Sequence, residues 1–177
     1  MRRPGRGPSL TWTCGPAAAL VEMVSGISLS QQPVDRSAFE QRQARVLAPR
    51  NPALALALAD ADADAYQAVL AVQRRRGETG QAGRLREGLR AAADPLVSIV
   101  ETAGEVTRLA ADATGQVRGG ARGEAKTAAV LAAAVVEAGV SLIELNLAAA
   151  PDDPRLARAR AIAHEACSDR ARALGTS

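Results

Sequence analysis

Apolar positions recur at helical intervals along most of the chain. Ala17, Leu20, Val21, Val24 and Ile27 fall on one face of a helix predicted over 16–30. Pro16 suits its first turn, where a missing N–H breaks no ladder bond. A second helix is predicted over 35–47 with Asp35 as its N-cap, and Pro49 and Pro52 interrupt it. Residues 53–73 resume the helix. Their stretch ALALALADADADAY alternates with period two, superficially a strand pattern. Alanine at every second position, with aspartate at three of the others, suits a pleated surface poorly, so helix is expected. A loop is expected over 74–83 and a helix over 84–93. Asp94-Pro95 then restarts the chain into a helix reaching about 113. A glycine-rich connection, TGQVRGGARG, precedes the longest apolar helix, 124–150. Pro151-Asp152-Asp153-Pro154 stops that helix, and Asp152 or Asp153 caps a final one over 154–174. The reading is an all-α bundle of about six helices, one domain over 1–177, with 1–10 a flexible leader.

Composition sharpens this picture. Of 177 residues 41 are alanine, and Trp12, Phe39 and Tyr66 are the only aromatics, so the core must be built from Ala, Leu and Val. That excludes an all-β fold and disfavours a parallel sheet, since no run reads as a buried strand. Ala132, Ala133, Ala134, Ala138 and Gly139 make the longest helix small on several faces. In so short a chain a symmetric partner is the simplest full cover, so a homodimer is expected. The stretch from Ala128 to Ala150 has the length of a membrane span. Glu137 and Glu144 within it would each cost a few kcal/mol at a bilayer centre, which favours a core helix and no membrane.

Net charge is +3, and the arginines alternate with acidic residues at helical spacing. The one basic run, Arg74-Arg75-Arg76, has neither a broad basic face nor stacking aromatics around it. It reads as a solvated helix end, with no nucleic-acid partner. The N-terminus imitates a secretory signal, but Thr11, Thr13, Gly15 and Pro16 break its apolar stretch. A cytoplasmic protein is expected, with Cys14 and Cys167 as buried reduced thiols and His164 on the surface. One histidine and two remote cysteines supply no metal set, so no metal site is expected.

Three places carry candidate chemistry: the Gly/Pro leader, the acidic segment before Tyr66, and the glycine-rich loop with Arg122, Glu124 and Lys126. On a helix Asp60 and Asp64 share a face. Asp62 projects about 200° away from Asp60, toward the side of Tyr66 four residues on. Asp62 is therefore the carboxylate to expect inward and least exposed. Asn146, in an apolar helix, is either a structural hydrogen-bonding group or a ligand contact.

These features, taken in order, resemble the cyclodeaminase/cyclohydrolase family, which includes the cyclodeaminase domain of formiminotransferase-cyclodeaminase and the methenyltetrahydrofolate cyclohydrolases. Pro4-Gly5-Arg6-Gly7-Pro8 stands where that family has a Pro-Gly-Gly-Gly motif, and an Ala-rich helix with Met23-Val24 follows. Asp60-Ala61-Asp62-Ala63-Asp64-Ala65-Tyr66, Pro95, the Gly123–Ala129 segment and Asn146-Leu147 match later motifs, so the resemblance covers about 4–174. It implies cyclisation of 5-formiminotetrahydrofolate with loss of ammonia, or hydrolysis of the 5,10-methenyl ring, with a folate substrate and no cofactor. It further implies Asp62 as the acid/base, with Gly5, Gly7, Tyr66, Arg122, Glu124, Lys126 and Asn146 binding substrate. Some positions depart from the pattern: Arg6 for a loop glycine, Pro8 for a small residue, Glu124 for aspartate, and Pro49 and Pro52 within what the family builds as one long helix. The alternative is a catalytically degenerate member acting as a dimeric binding or accessory protein.

Overall fold

The computed structural model describes residues 52–75 and 79–176, and among these the side chains of 60, 61, 63–75 and 79–176. The expected helices over 16–30 and 35–47, the leader with Gly5 and Gly7, and Cys14 lie outside the described residues. Among those described, five helices and no strand are found: α1 (Pro52–Arg74), α2 (Gln81–Ala91), α3 (Ala93–Gln116), α4 (Gly120–Asn146) and α5 (Pro154–Leu174). The period-two segment is helical throughout.

α3, α4 and α5 pack on one another and hold the core, with α4 antiparallel to α5, and α3 and α5 running parallel. Leu96, Ile99, Val100, Ala103, Val106 and Ala110 supply the buried stripe of α3, and Ala128, Ala129, Ala132, Val135, Val136 and Ile143 that of α4. The intervals of three and four residues are what a helix needs to keep one face inward. Among the described residues the largest fully buried side chains are Ile143, Leu147, Val100, Val106, Val135, Val136 and Thr107, none of them aromatic. Small side chains let the helix backbones approach instead. A Cβ at Gly104 would lie 2.7 Å from Ile162 Cγ2, so α3 and α5 touch there across a missing side chain. The buried hydroxyls of Thr107 and Thr114 donate to the carbonyls of Ala103 and Ala111 in their own helix, at 2.8 and 2.7 Å, and need no outside partner.

Helix boundaries differ from the sequence reading at each glycine-rich join. α3 runs on to Gln116 and α4 begins at Gly120, so the expected ten-residue connection shrinks to Val117, Arg118 and Gly119. Gly119 has φ 61 and ψ −139, a conformation essentially closed to other residues, and makes the turn. Ala113, Val117 and Ala125 bury together around this turn, offsetting the roughly 1 kcal/mol that each helical glycine costs. α2 begins at Gln81, inside the expected loop, its side chain amide donating to the Val72 carbonyl of α1 at 3.1 Å. α4 ends at Asn146 rather than at 150: buried Leu147 turns the chain, and Ala150 N–H and Asp153 N–H close successive turns on Leu147 and Ala150.

Four exposed or half-buried arginines of α5 are ion-paired across helices. Arg158 and Arg172 reach Glu101 and Asp112 of α3, while Arg160 and Arg170 reach Glu144 and Glu137 of α4. Cys167, expected to be buried, is exposed, because it lies on the side of α5 away from Ile162 and Ala166, which pack on the core. His164 is exposed, as expected.

Candidate functional site

The bundle presents two chemically distinct ends. At one, α4 starts from Gly119, which has no side chain to cap the helix, and no acidic residue occupies its first turn. Arg118 and Arg122 are exposed there, and Glu124 and Lys126 are half-buried. The positive end of a 27-residue helix beside three cations favours a carboxylate or phosphate.

At the other end, α4 closes with half-buried Asn146. Asn146 is therefore the last residue of α4. Close by, Asp153 caps α5, accepting the Arg155 N–H at 3.1 Å. Its side chain is 2% exposed and holds two guanidinium groups: Arg155 at 2.8 Å and, from α2, Arg90 at 3.2 Å. Arg155 also donates to the Arg90 carbonyl at 2.8 Å and to Asp94 at 2.6 Å. The Arg155 hydrogen bond, ahead of the opposing effect of desolvation, holds the Asp153 carboxyl well below the usual carboxylate range. The same bond pushes the Arg155 guanidinium up.

This knot makes acid stability a test. The unfolded chain binds a proton at Asp153 more readily than the folded one, so the stabilisation is complete above the ordinary carboxylate pKa of about 4. It is lost as pH falls toward the folded value. Asp153→Asn keeps an N-cap but removes the charge. Thermal melts from pH 6 down to pH 2 are expected to show a shallower loss of Tm for the variant than for the unchanged chain.

α1 lies against α2 in antiparallel register. Gln81 meets Val72, and Val69, its one buried residue among those described, sits at Gly88, where a Cβ would be 3.5 Å from Val69 Cγ2. Continuing that register carries Tyr66 toward the α2–α3 junction, the end of the bundle where Asn146 stands. Tyr66 is 39% exposed, and Asp60 and Asp64 are exposed on the same helix. Asp62 lies on α1 and its side chain falls outside the described residues, so the expectation that it is the least exposed of the three falls there too.

The residues drawn together by sequence motif thus divide. Asp62, Tyr66 and Asn146 belong to one end, and Arg122, Glu124 and Lys126 to the other. At 1.5 Å per residue, Arg122 and Asn146 stand about 36 Å apart along α4, roughly the diameter of a small domain. A cleft of about 160 Å3 between α3 and α5 contains none of them. Its carboxylates are largely engaged: Glu105 with Arg108, Glu101 with Arg158 and Asp169 with Arg172. Glu105 pushes the Arg108 guanidinium up through that bond. Among the described residues, no group of three or more His, Cys, Asp or Glu side chains is placed to hold a metal ion. The sequence reading missed both the Asp153 knot and this network, because intrahelical spacing reveals pairs within a helix but not across helices.

An all-α chain with a long, small-residue central helix and a carboxylate-bearing outer helix is the class defined by this architecture. The family model for formiminotransferase-cyclodeaminase matches residues 2–165, and the chain belongs to that family. Among solved structures it is similar to formiminotetrahydrofolate cyclodeaminase from Thermotoga maritima, with a TM-score of 0.71 at 16% identity. The match covers 99% of this chain and 89% of that one, and at this identity it speaks for the fold. A sequence search among curated proteins finds no match.

Proposed function

We propose that the protein is a folate one-carbon enzyme, acting as a formiminotetrahydrofolate cyclodeaminase or a methenyltetrahydrofolate cyclohydrolase. The observation that carries this reading is the family match over 2–165, backed by a fold likeness along nearly the whole chain. Both reactions pass a tetrahedral carbon between two nitrogens. In the first, one nitrogen attacks the formimino carbon and ammonia leaves; in the second, water attacks and one C–N bond breaks. Each needs a group that takes and returns a proton, the role given to Asp62. Tyr66 packs against the pterin, and Asn146 offers hydrogen bonds at the same end. Arg122 and Lys126, with the α4 N-terminus, receive the glutamate carboxylates, and Glu124 orients them. Gly5 and Gly7 let the leader approach the ligand closely. The reading includes a cytoplasmic enzyme, without metal or redox cofactor.

The separation of these residues along α4 supports a homodimer with the site shared between chains. Only 44% of the most apolar stretch of α4 is buried. Thr127, Val130, Ala134, Ser141 and Leu145 are all exposed along one side, Leu145 at 69%. The hydroxyls on that side are already satisfied, Thr127 donating to Gly123 and Ser141 to Glu137, both at 3.0 Å, so covering it leaves no donor stranded. Two copies packed by this face about a two-fold axis, with their α4 helices antiparallel, lay the basic end of one over the Asn146 end of the other. Helix dipoles oppose favourably in that arrangement.

The degenerate, binding-only reading is favoured by one observation, the Arg6 and Pro8 substitutions in the leader. The purified chain, mixed separately with 5-formiminotetrahydrofolate and 5,10-methenyltetrahydrofolate and followed by near-ultraviolet absorbance, decides. Turnover of either supports the enzyme. Binding without turnover supports the accessory reading, and neither binding nor turnover overturns both.

A further inference from the structure

Two corners of the chain meet at the end of the bundle where Asn146 stands. One joins α2 to α3 and carries Arg90 and Asp94; the other joins α4 to α5 and carries Asp153 and Arg155. The Arg155 guanidinium binds both. Its Nε and Nη2 donate to the two Asp153 carboxylate oxygens at 2.9 and 2.8 Å. Its Nη1 crosses to the other corner and donates to the Arg90 carbonyl at 2.8 Å and to Asp94 Oδ1 at 2.6 Å. A guanidinium is a planar fork, so binding along two of its edges fixes angle as well as distance. The α4–α5 corner passes that constraint to Asn146. Asp153 N–H closes a turn on Ala150, and Ala150 N–H closes one on Leu147. Leu147 is fully buried and donates its own N–H to Ile143 in the last turn of α4. Asn146 is half-buried, and its side-chain amide has no hydrogen-bond partner among the described residues. A partly desolvated amide with its donors and acceptor unused is open to a ligand.

We propose that Arg155 is a positioning residue of the folate site: by bridging Asp153 to Arg90 and Asp94 it sets the corner from which the Asn146 amide meets the substrate. This role rests on the folate reading, which gives Asn146 its ligand. The cap of α5 is complete without the bridge, since Asp153 accepts the Arg155 backbone N–H at 3.1 Å. What the Arg155 side chain adds is the orientation of one corner on the other. Losing the fork lets the Asn146 amide shift against bound substrate, and a misplacement of about 1 Å is enough to cost a large factor in rate.

A double-mutant cycle on the full chain, read as kcat/KM for the folate substrate, tests it. Arg155→Lys keeps the charge and loses the fork. It is expected to lower kcat/KM about tenfold in the unchanged chain, and by less than about twofold where Asn146→Ala is already in place. A merely structural role lowers the active fraction equally in both backgrounds. Arg158→Met, which removes an α5–α3 pair further along the same two helices, is the control and is expected to change kcat/KM by less than about twofold in either. Should Arg155→Lys fail to fold, Asp94→Asn reads the same contrast at about threefold. The Asp94 side chain is 72% exposed, so its change leaves nothing buried unpaired while removing one arm of the bridge. Equal falls in the two backgrounds, or no fall in the first, overturn the proposal. Turnover by the unchanged chain is read first: its absence overturns the folate reading and the role of Arg155 with it, whereas turnover with equal falls overturns the role of Arg155 alone.

Discussion

Asp62→Asn is expected to lower turnover of the folate substrate by about 10²–10⁴-fold, the usual worth of general acid–base catalysis. Asparagine matches the shape of aspartate and keeps most of its hydrogen bonding, but it neither takes up nor releases a proton at working pH. The helix around it is held by backbone bonds, and the variant is expected to melt within a degree or two of the unchanged chain. Asp64→Asn is the control. Asp64 is exposed two residues along α1, and its loss is expected to change the rate less than about twofold. Steady-state kinetics on the three chains separate the outcomes. Equal behaviour of the two variants would remove Asp62 from the chemistry.

The second large effect is expected at Ala134, midway along the open side of α4. Ala134→Glu leaves the separate chain undisturbed, since the position is exposed and glutamate is a good helix former. In a closed two-fold interface it sets one uncompensated charge in each chain. A buried charge without its partner costs about 3–5 kcal/mol, and symmetry counts it twice. With about 1.4 kcal/mol for each tenfold, dissociation is expected to strengthen by about 10⁴-fold or more. Light scattering at micromolar concentration is expected to give a dimer for the unchanged chain and a monomer for the variant, with turnover lost alongside. A monomer mass for the unchanged chain would contradict the shared site.

Much of the fold was legible in the residues. The period-two run of α1 resolved as helix because alanine and leucine favour it whatever their spacing, and the Asp152-Asp153 pair before Pro154 announced the start of α5, with Asp153 the N-cap. Join lengths were not legible. Gly115, Gly120 and Gly123 read as breakers, yet buried Ala113, Val117 and Ala125 keep the helices wound up to three residues from each other. The predicted far end of α4 falls four residues late: burial of Leu147 ends the helix at Asn146. The site was legible as a set of residue types and not as a place. The predicted helix over 124–150 already set Lys126 and Asn146 far apart; the earlier start of α4 at Gly120 adds Arg122 to that same helix. The ion pairs of the α5 arginines were not legible, since their partners on α3 and α4 are remote in sequence.

A folate site shared between two chains is tested most directly by mixing two inactive variants. One chain carries Asp62→Asn, and the other carries Arg122→Ala with Lys126→Ala. Each alone is expected to be nearly inactive. Unfolded together, refolded and allowed to pair at random, half of the dimers are mixed. Every mixed dimer holds one site with both defects and one with none, so activity is expected to return to about a quarter of the unchanged protein's. Activity no higher than that of the separate variants, in a preparation shown by mass spectrometry to contain mixed dimers, would contradict the shared site.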